Sequence, residues 1–254
     1  QTSYSKMNSL FGYDEAARKF VDYYNNREVE ESDNKYTGMF EGKNVIMMHL
    51  ESMMTFFVDL KINGVEITPN LNKLTKEGLY FSNFYPEISV GTSSDTEFTV
   101  NTSLLPVSSG TVFVSYYNRE YVSLEKLLSD KGYYTFSMHG NKASMWNRNK
   151  MHPSLGYKDM YFEDKYNIDE VVGLGLSDHS FYKQIMPILT DIENKNTNYM
   201  GTIITLSNHT PFNDLEHYPE LDLTYKTTKL NEETGVEEEV VYDYLEGTKL
   251  GNYI

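Results

Sequence analysis

Apolar and polar positions follow two different rhythms along this chain, and the change of rhythm divides it. Between Leu10 and Asn25 the apolar positions Ala17, Phe20, Val21 and Tyr24 recur at helical spacing, so this stretch is predicted to be a helix. The polar stretch from Asn25 to Gly38, with Glu28, Glu30, Glu31 and Asp33, reads as a linker or surface loop. From Gly42 onward, short apolar runs alternate with capped, periodic segments. Asn44–Leu50 (Asn-Val-Ile-Met-Met-His-Leu) reads as a buried strand. Thr68 and Pro69 open a helix with a good cap and a proline at its first position, and Gly78 closes it. Leu79–Tyr85 alternates weakly and is predicted as a short strand. Ser123 caps a helix that ends at Gly132, and Tyr133–Met138 follows as a strand. Ser177–Leu189 reads as a helix with Pro187 near its end, and Tyr199–Leu206 as a strong buried strand.

Buried strands alternating with capped helices predict an α/β fold with a mostly parallel central sheet flanked by helices. The same reading divides the chain into 1–41, a helix and linker, and 42–254, an α/β domain. Within the latter, residues 213–246 hold eleven acids against two lysines, a net −9 of the chain's −15. Glu232–Gly235 reads as a turn joining two polar strands, Tyr225–Leu230 and Val236–Tyr242. A solvated hairpin is the plain reading, and an acidic binding patch the alternative.

Composition narrows the function. Apolar residues make up 39% of the 254 and charged residues 23%, which supports a folded core. A net charge of −15 argues against a nucleic-acid binder, whose footprint is a basic face. The absence of cysteine excludes a disulfide framework, a cysteine-ligated metal and a cysteine nucleophile. No stretch approaches the ~20 apolar residues a membrane span needs. Gln1–Asn8 lacks the pattern of a signal peptide, and the chain does not begin with Met. The expectation is a processed or excised piece of something longer.

In open α/β sheets, ligands bind beyond the carboxyl ends of the strands. Three predicted strands run there into His49-Leu-Glu51-Ser52, His139-Gly-Asn141 and Ser207-Asn-His209-Thr-Pro-Phe212. A fourth segment is Ser89-Val-Gly-Thr-Ser93-Ser94-Asp-Thr-Glu97-Phe. Ser94 and Glu97 fit the capping box of a helix start, whose free N–H groups suit a phosphate. Gly91 would let backbone approach such an anion closely. There is no G-x-S-x-G elbow and no G-x-x-x-x-G-K-[ST] phosphate loop.

These segments, with His139-Gly-Asn-Lys-Ala-Ser-Met-Trp146-Asn-Arg148, Ser154-Leu-Gly-Tyr157, Gly173-Leu-Gly-Leu-Ser-Asp178 and Thr205-Leu-Ser-Asn-His209, carry a resemblance. The chain resembles the extracellular catalytic domain of lipoteichoic acid synthases, phosphoglycerol transferases of the alkaline phosphatase/sulfatase superfamily. The match runs over about residues 42–212. It implies an alkaline phosphatase/sulfatase-like α/β core and a divalent metal, manganese first and magnesium second. It implies an enzyme at the outer face of a bacterial cell membrane, attached through segments absent from this chain. Its donor would be phosphatidylglycerol and its acceptor a polyglycerolphosphate.

Carried over residue by residue, the resemblance makes Glu51 a metal ligand and Ser93 both nucleophile and metal ligand, where relatives often have Thr. It places His139, Asn141, Trp146, Arg148 and His209 at the glycerophosphate site, Asn141 standing where some relatives carry Asp. Arg148 would grip phosphate oxygens with its planar fork, and His209 would carry a proton. The family's further Asp-His metal pair finds no match before Ile254, so the domain is expected to be truncated at its C-terminus. Sulfatase chemistry is disfavoured, because the segment from Ser93 lacks the Pro and Arg that formylglycine formation requires. Phosphoethanolamine transfer and non-catalytic binding of glycerophosphate or an envelope polymer are the alternatives.

Overall fold

A computed structural model of the chain describes residues 14–27, 33–195, 198–214, 216–217, 221–243, 245 and 248–254. The chain separates into two units, Gln1–Gly42 and Lys43–Ile254. In the first, helix α1 spans Asp14–Asn25, as the spacing predicts. Phe20 and Val21, on its expected apolar face, are exposed within this unit. Residues 10–13 of the predicted helix, residues 28–32 of the linker and the side chains of Ala17 and Tyr24 lie outside the described residues.

The second unit opens with β1 (Val45–His49), the small hairpin β2 (Lys61–Ile62) and β3 (Val65–Glu66), and helices α2 (Pro69–Glu77), α3 (Ser93–Thr102), α4 (Val112–Ser115) and α5 (Leu124–Asp130). It continues through β4 (Tyr134–His139), α6 (Arg148–Leu155), β5 (Asp159–Tyr161), a second small hairpin β6 (Val171–Val172) and β7 (Gly175–Leu176), α7 (Asp178–Lys195) and β8 (Tyr199–Ile204). Strands β9 (Tyr225–Leu230) and β10 (Glu237–Tyr242) and helix α8 (Lys249–Tyr253) complete it. The central sheet is parallel throughout, in the order β1-β8-β4-β5.

Alternation along the strands sorts side chains to the two faces of this sheet. Phe136 and Met138 of β4 and Ile203 of β8 pack with Phe181, Ile185 and Ile192 of α7. On the opposite face lie Thr135 and Ser137, whose hydroxyls reach the Gly156 carbonyl and the His152 ring. A second cluster joins Phe98, Val112, Phe113, Met151 and Leu155, from α3, α4 and α6. Gly201 stands in register with Phe136, and a methyl group there would meet the Phe136 ring at 2.2 Å. That glycine is what lets the ring lie across the sheet.

Most local signals held, but Thr68 makes no side-chain cap: its hydroxyl donates to the Phe57 carbonyl and to Asn72 Oδ1 instead. Ser123 caps α5 by accepting from the Lys126 N–H. The acidic hairpin forms as predicted, with Leu230 opposite Glu237 and the Asn231 side chain accepting from Glu233 and Thr234 N–H groups in the turn. Three further expectations are corrected. Leu79–Tyr85 is not a strand: among the described residues no strand pairs with it, and its Phe81, Phe84 and Tyr85 are exposed. Helix α7 runs through Pro187 to Lys195, past the predicted stop, because its face is held against the sheet core. The capping box at Ser94 does not form. The helix begins at Ser93, and Ser94 instead donates its hydroxyl to the Gly91 carbonyl. Among the described residues no helix is long and apolar enough to cross a membrane.

Candidate active site

The carboxyl ends of β1, β8 and β4 meet in one register row, His49, Ile204 and His139. Two residues beyond His49, the Glu51 N–H donates to Thr205 Oγ1 at 2.8 Å, which fixes the turn after β1 to the turn after β8. The Glu51 carboxylate then faces the start of α3. Ser93 Oγ donates to Glu51 Oε2 at 2.9 Å, and Ser52 Oγ to Oε1 at 3.2 Å.

Ser93 owes its position to an unusual backbone. Thr92, just before it, sits at φ 41° and ψ −107°. For a β-branched residue this conformation costs on the order of 1–3 kcal/mol and persists only when its surroundings hold it. Asp95 supplies that hold. Buried to 1% exposure, its Oδ2 accepts from the N–H groups of Ser89 and Gly91, each at 2.9 Å. A methyl group on Gly91 would lie 2.3 Å from Asp95 Oδ1, so the glycine answers to the carboxylate of its own loop.

One turn into α3, Glu97 is buried against α6. It accepts from Arg148 Nε at 3.0 Å, from Arg148 Nη2 at 2.7 Å and from His152 Nε2 at 2.8 Å. A carboxylate only accepts, so Nε2 of His152 carries the proton, and Nδ1 lies 2.9 Å from the Ser137 hydroxyl. Burial pushes the Glu97 carboxyl up, but the Arg148 charge and the His152 hydrogen bond outweigh it and hold the acid well below the usual range. Burial likewise lowers His152, against the pull of Glu97. Arg148 is 2% exposed, and Nε and Nη2 of its fork are given to Glu97.

The remaining sequence candidates take distinct places. His139 is 3% exposed and donates from Nδ1 to the Ile204 carbonyl at 2.9 Å. Burial, with the Arg148 charge nearby, lowers its pKa to about 3, so the ring is neutral and Nε2 carries no proton. Asn141 accepts from the Lys142 N–H at 2.7 Å, within its own turn. Trp146, at φ 53°, packs partly buried against the Phe98–Phe113 cluster. His209 is half-buried and donates from Nδ1 to the Thr210 carbonyl at 2.7 Å, next to the cis Thr210–Pro211 bond. It lines a cavity of ≈ 1120 Å³ together with Asp178, Ser207, Asn208, Phe212 and Tyr253.

The structure thus brings Glu51 and Ser93 into contact and joins the His209 turn to them. Asn208 Nδ2 reaches the Glu51 carbonyl at 3.5 Å. Tyr253 closes the same edge, its hydroxyl on the Ser52 carbonyl and its ring between Phe57 and Phe212. Arg148 and Trp146 are placed instead with the α3–α6 interior. The sequence reading gave no role to Asp95, His152 or Asn208, and it read Glu97 only as a capping residue. Asp178 was legible only as part of a motif. Its carboxylate accepts from Leu206 and Ser207 N–H groups while its own N–H donates to Ser207 Oγ, a reciprocal clamp on the turn that carries His209.

A hard divalent cation calls for oxygen donors. The Glu51 carboxylate and the Ser93 hydroxyl fit in kind and face each other, and they supply two such ligands. Among the described residues no group of three or more His, Cys, Asp or Glu is placed to hold a metal.

A parallel α/β sheet whose strand ends present a carboxylate to a helix-borne hydroxyl defines the class. The chain belongs to the sulfatase family, whose model matches residues 43–249. It is 38% identical to lipoteichoic acid synthase 2 of Bacillus subtilis (strain 168) over 197 residues, covering 76% of this chain and 30% of that protein. It is 35% identical to lipoteichoic acid synthase of Staphylococcus aureus (strain USA300) over 200 residues, again 76% of this chain and 30% of the relative. The crystal structure of the lipoteichoic acid synthase LtaP from Listeria monocytogenes superposes with a TM-score of 0.78 at 31% identity, over 92% of this chain and 53% of LtaP. The chain therefore spans about 30% of the length of the curated relatives it matches.

Proposed function

We propose that this chain carries the nucleophile of a metal-dependent phosphoglycerol transferase of the lipoteichoic acid synthase kind. Its donor is phosphatidylglycerol, its acceptor a polyglycerolphosphate hydroxyl, and its setting the outer face of a bacterial cell membrane. The observation that carries the reading is the Ser93 Oγ to Glu51 Oε2 contact of 2.9 Å at the N-terminus of α3. The similarity to lipoteichoic acid synthases over 76% of the chain supports the choice of substrate.

Ser93 Oγ gives up its proton and attacks the phosphorus of the donor, forming an O–P bond as the bond to the diacylglycerol oxygen breaks. The departing oxygen takes a proton and leaves as diacylglycerol. An acceptor hydroxyl then attacks the same phosphorus, gives up its proton and restores Ser93. Nδ1 of His209 already donates to Thr210, so in the neutral ring Nε2 is the nitrogen that accepts and returns that proton. His139, neutral and with Nδ1 engaged, offers Nε2 as an acceptor for a glycerol hydroxyl. The N-terminal end of α3 places a partial positive charge by the phosphoryl group. A manganese or magnesium ion held by Glu51 and Ser93 would lower the pKa of the serine hydroxyl and draw charge from the phosphoryl oxygens.

With fluorescent phosphatidylglycerol, Ser93→Ala is expected to abolish both diacylglycerol release and the glycerophosphoryl adduct seen by intact-protein mass spectrometry. Unchanged release would remove Ser93 from this role. A second reading, a non-catalytic glycerophosphate-binding domain, is favoured by the count of two metal-type donors among the described residues. Calorimetry separates the two. Glycerol phosphate binding without manganese, and with no turnover under any metal, selects the second reading.

A further inference from the structure

The Ser94–Glu97 spacing reads as a capping box in the sequence, yet in the fold Glu97 turns away from its own helix end. It lies one turn beyond Ser93 on α3 and points into the interior. There it meets two donors from α6, and one of them, His152, continues to Ser137 of β4. Glu97, Arg148 and His152 are each at most 4% exposed, so no water competes for these bonds. The links run from the central strand through α6 and Glu97 to the turn of α3 that bears Ser93. They grip that turn from below, while Asp95 grips the loop before it.

The hold on α3 is polar where apolar packing would serve stability as well, since a buried ion pair is seldom more stabilising than a hydrophobic replacement. What such a pair adds is direction. A bidentate fork on a carboxylate fixes both distance and rotation. Rotation of α3 about its axis would carry Ser93 Oγ away from Glu51, and sliding of an apolar contact would permit such a rotation.

We infer that Glu97 is a positioning residue for Ser93, and that Arg148 and His152 act on the reaction through Glu97 by fixing the axial rotation of α3. The inference rests on the assignment of Ser93 as nucleophile, but its first consequence, the placement of Ser93 against Glu51, is geometric and needs no turnover to be read.

The test compares wild type, Glu97→Gln and, as a control destabilised away from α3, Gly201→Ala, which crowds Phe136 on the other face of the sheet. For each, a crystal structure gives the Ser93–Glu51 distance and steady-state assays with phosphatidylglycerol give kcat and KM per folded molecule. For Glu97→Gln, the Ser93 Oγ to Glu51 contact is expected to open, with kcat falling on the order of 10²-fold at a KM within about twofold of wild type. Gly201→Ala is expected to keep both the contact and kcat. A Glu97→Gln structure with the contact intact, or a kcat lost only in proportion to unfolded protein, overturns the inference. If Glu97→Gln does not fold, His152→Gln is read by the same measures. A wild type without transfer activity leaves the contact as the deciding measure: an opened contact in Glu97→Gln upholds the positioning role by itself, and an intact one overturns it.

Discussion

Two buried glutamates near one another are pushed in opposite directions, and the difference lies in their partners. Glu97 has Arg148 and His152 and is held ionised. Glu125, on α5, is fully buried and has no charged partner among the described residues, only the Tyr157 and Ser123 hydroxyls near its carboxylate. Burial raises its pKa from 4.5 to about 7. The folded state therefore binds a proton that the unfolded state releases, and stability falls as pH rises from about 4.5 through about 7. Glu125→Gln lacks this dependence. Its unfolding free energy relative to wild type is expected to improve by roughly 3 kcal/mol between pH 5 and pH 8 in urea titrations. Parallel pH profiles would refute the buried, unpaired state. His139 acts at the other limb. Its pKa of about 3, below the usual 6.5, gives stability that is present above 6.5 and lost as pH falls toward 3. His139→Gln is expected to flatten that acid limb in the same titrations. Neither effect was legible in the sequence, where Glu125 is an ordinary acid in the first turn of a capped helix and its burial depends on α6 and Tyr157 above it.

Elements whose ends carry their own chemistry were legible in advance. Ser123, Gly78 and the Asn231–Gly235 turn act through bonds a few residues long, so sequence neighbours suffice to specify them. Elements decided by distant partners were not. Leu79–Tyr85 alternates like a strand but has no strand beside it, and Ser94–Glu97 spells a cap while Glu97 has a stronger use 51 residues away. Glycines show the same division. Gly91→Ala sets a methyl group against the Asp95 carboxylate. It is expected to lower the melting temperature and to cut the yield of the Ser93 adduct, since loop and nucleophile share that anchor. Gly201→Ala presses on a rigid ring at 2.2 Å and is expected to cost about 1–3 kcal/mol in chemical denaturation. A wild-type midpoint for Gly201→Ala would mean that Phe136 has room to move.

The charge of the whole molecule, −15, looked ill suited to a phosphodiester substrate. Much of it lies in residues 213–246, which carry a net −9 and include the mostly exposed strands β9 and β10 with their Lys226–Glu239 pair at 3.5 Å. At the strand ends the α3 terminus contributes a partial positive charge, and a cation held by Glu51 and Ser93 in the proposed function would add to it. Chelation is therefore expected to stop glycerophosphate transfer, with manganese restoring it more fully than magnesium. Full activity in the presence of chelator would exclude the metal-dependent reading. The alternation of strands and helices was written in the sequence, because period and caps are local codes, and the family resemblance implied Glu51 and Ser93 as parts of one site. Only the tertiary structure decided that Arg148 faces Glu97, that Asp178 clamps the His209 turn and that Glu125 is buried with no charged partner among the described residues. Each is settled by which buried groups a fold brings within hydrogen-bond reach, and those groups lie on segments far apart in the chain.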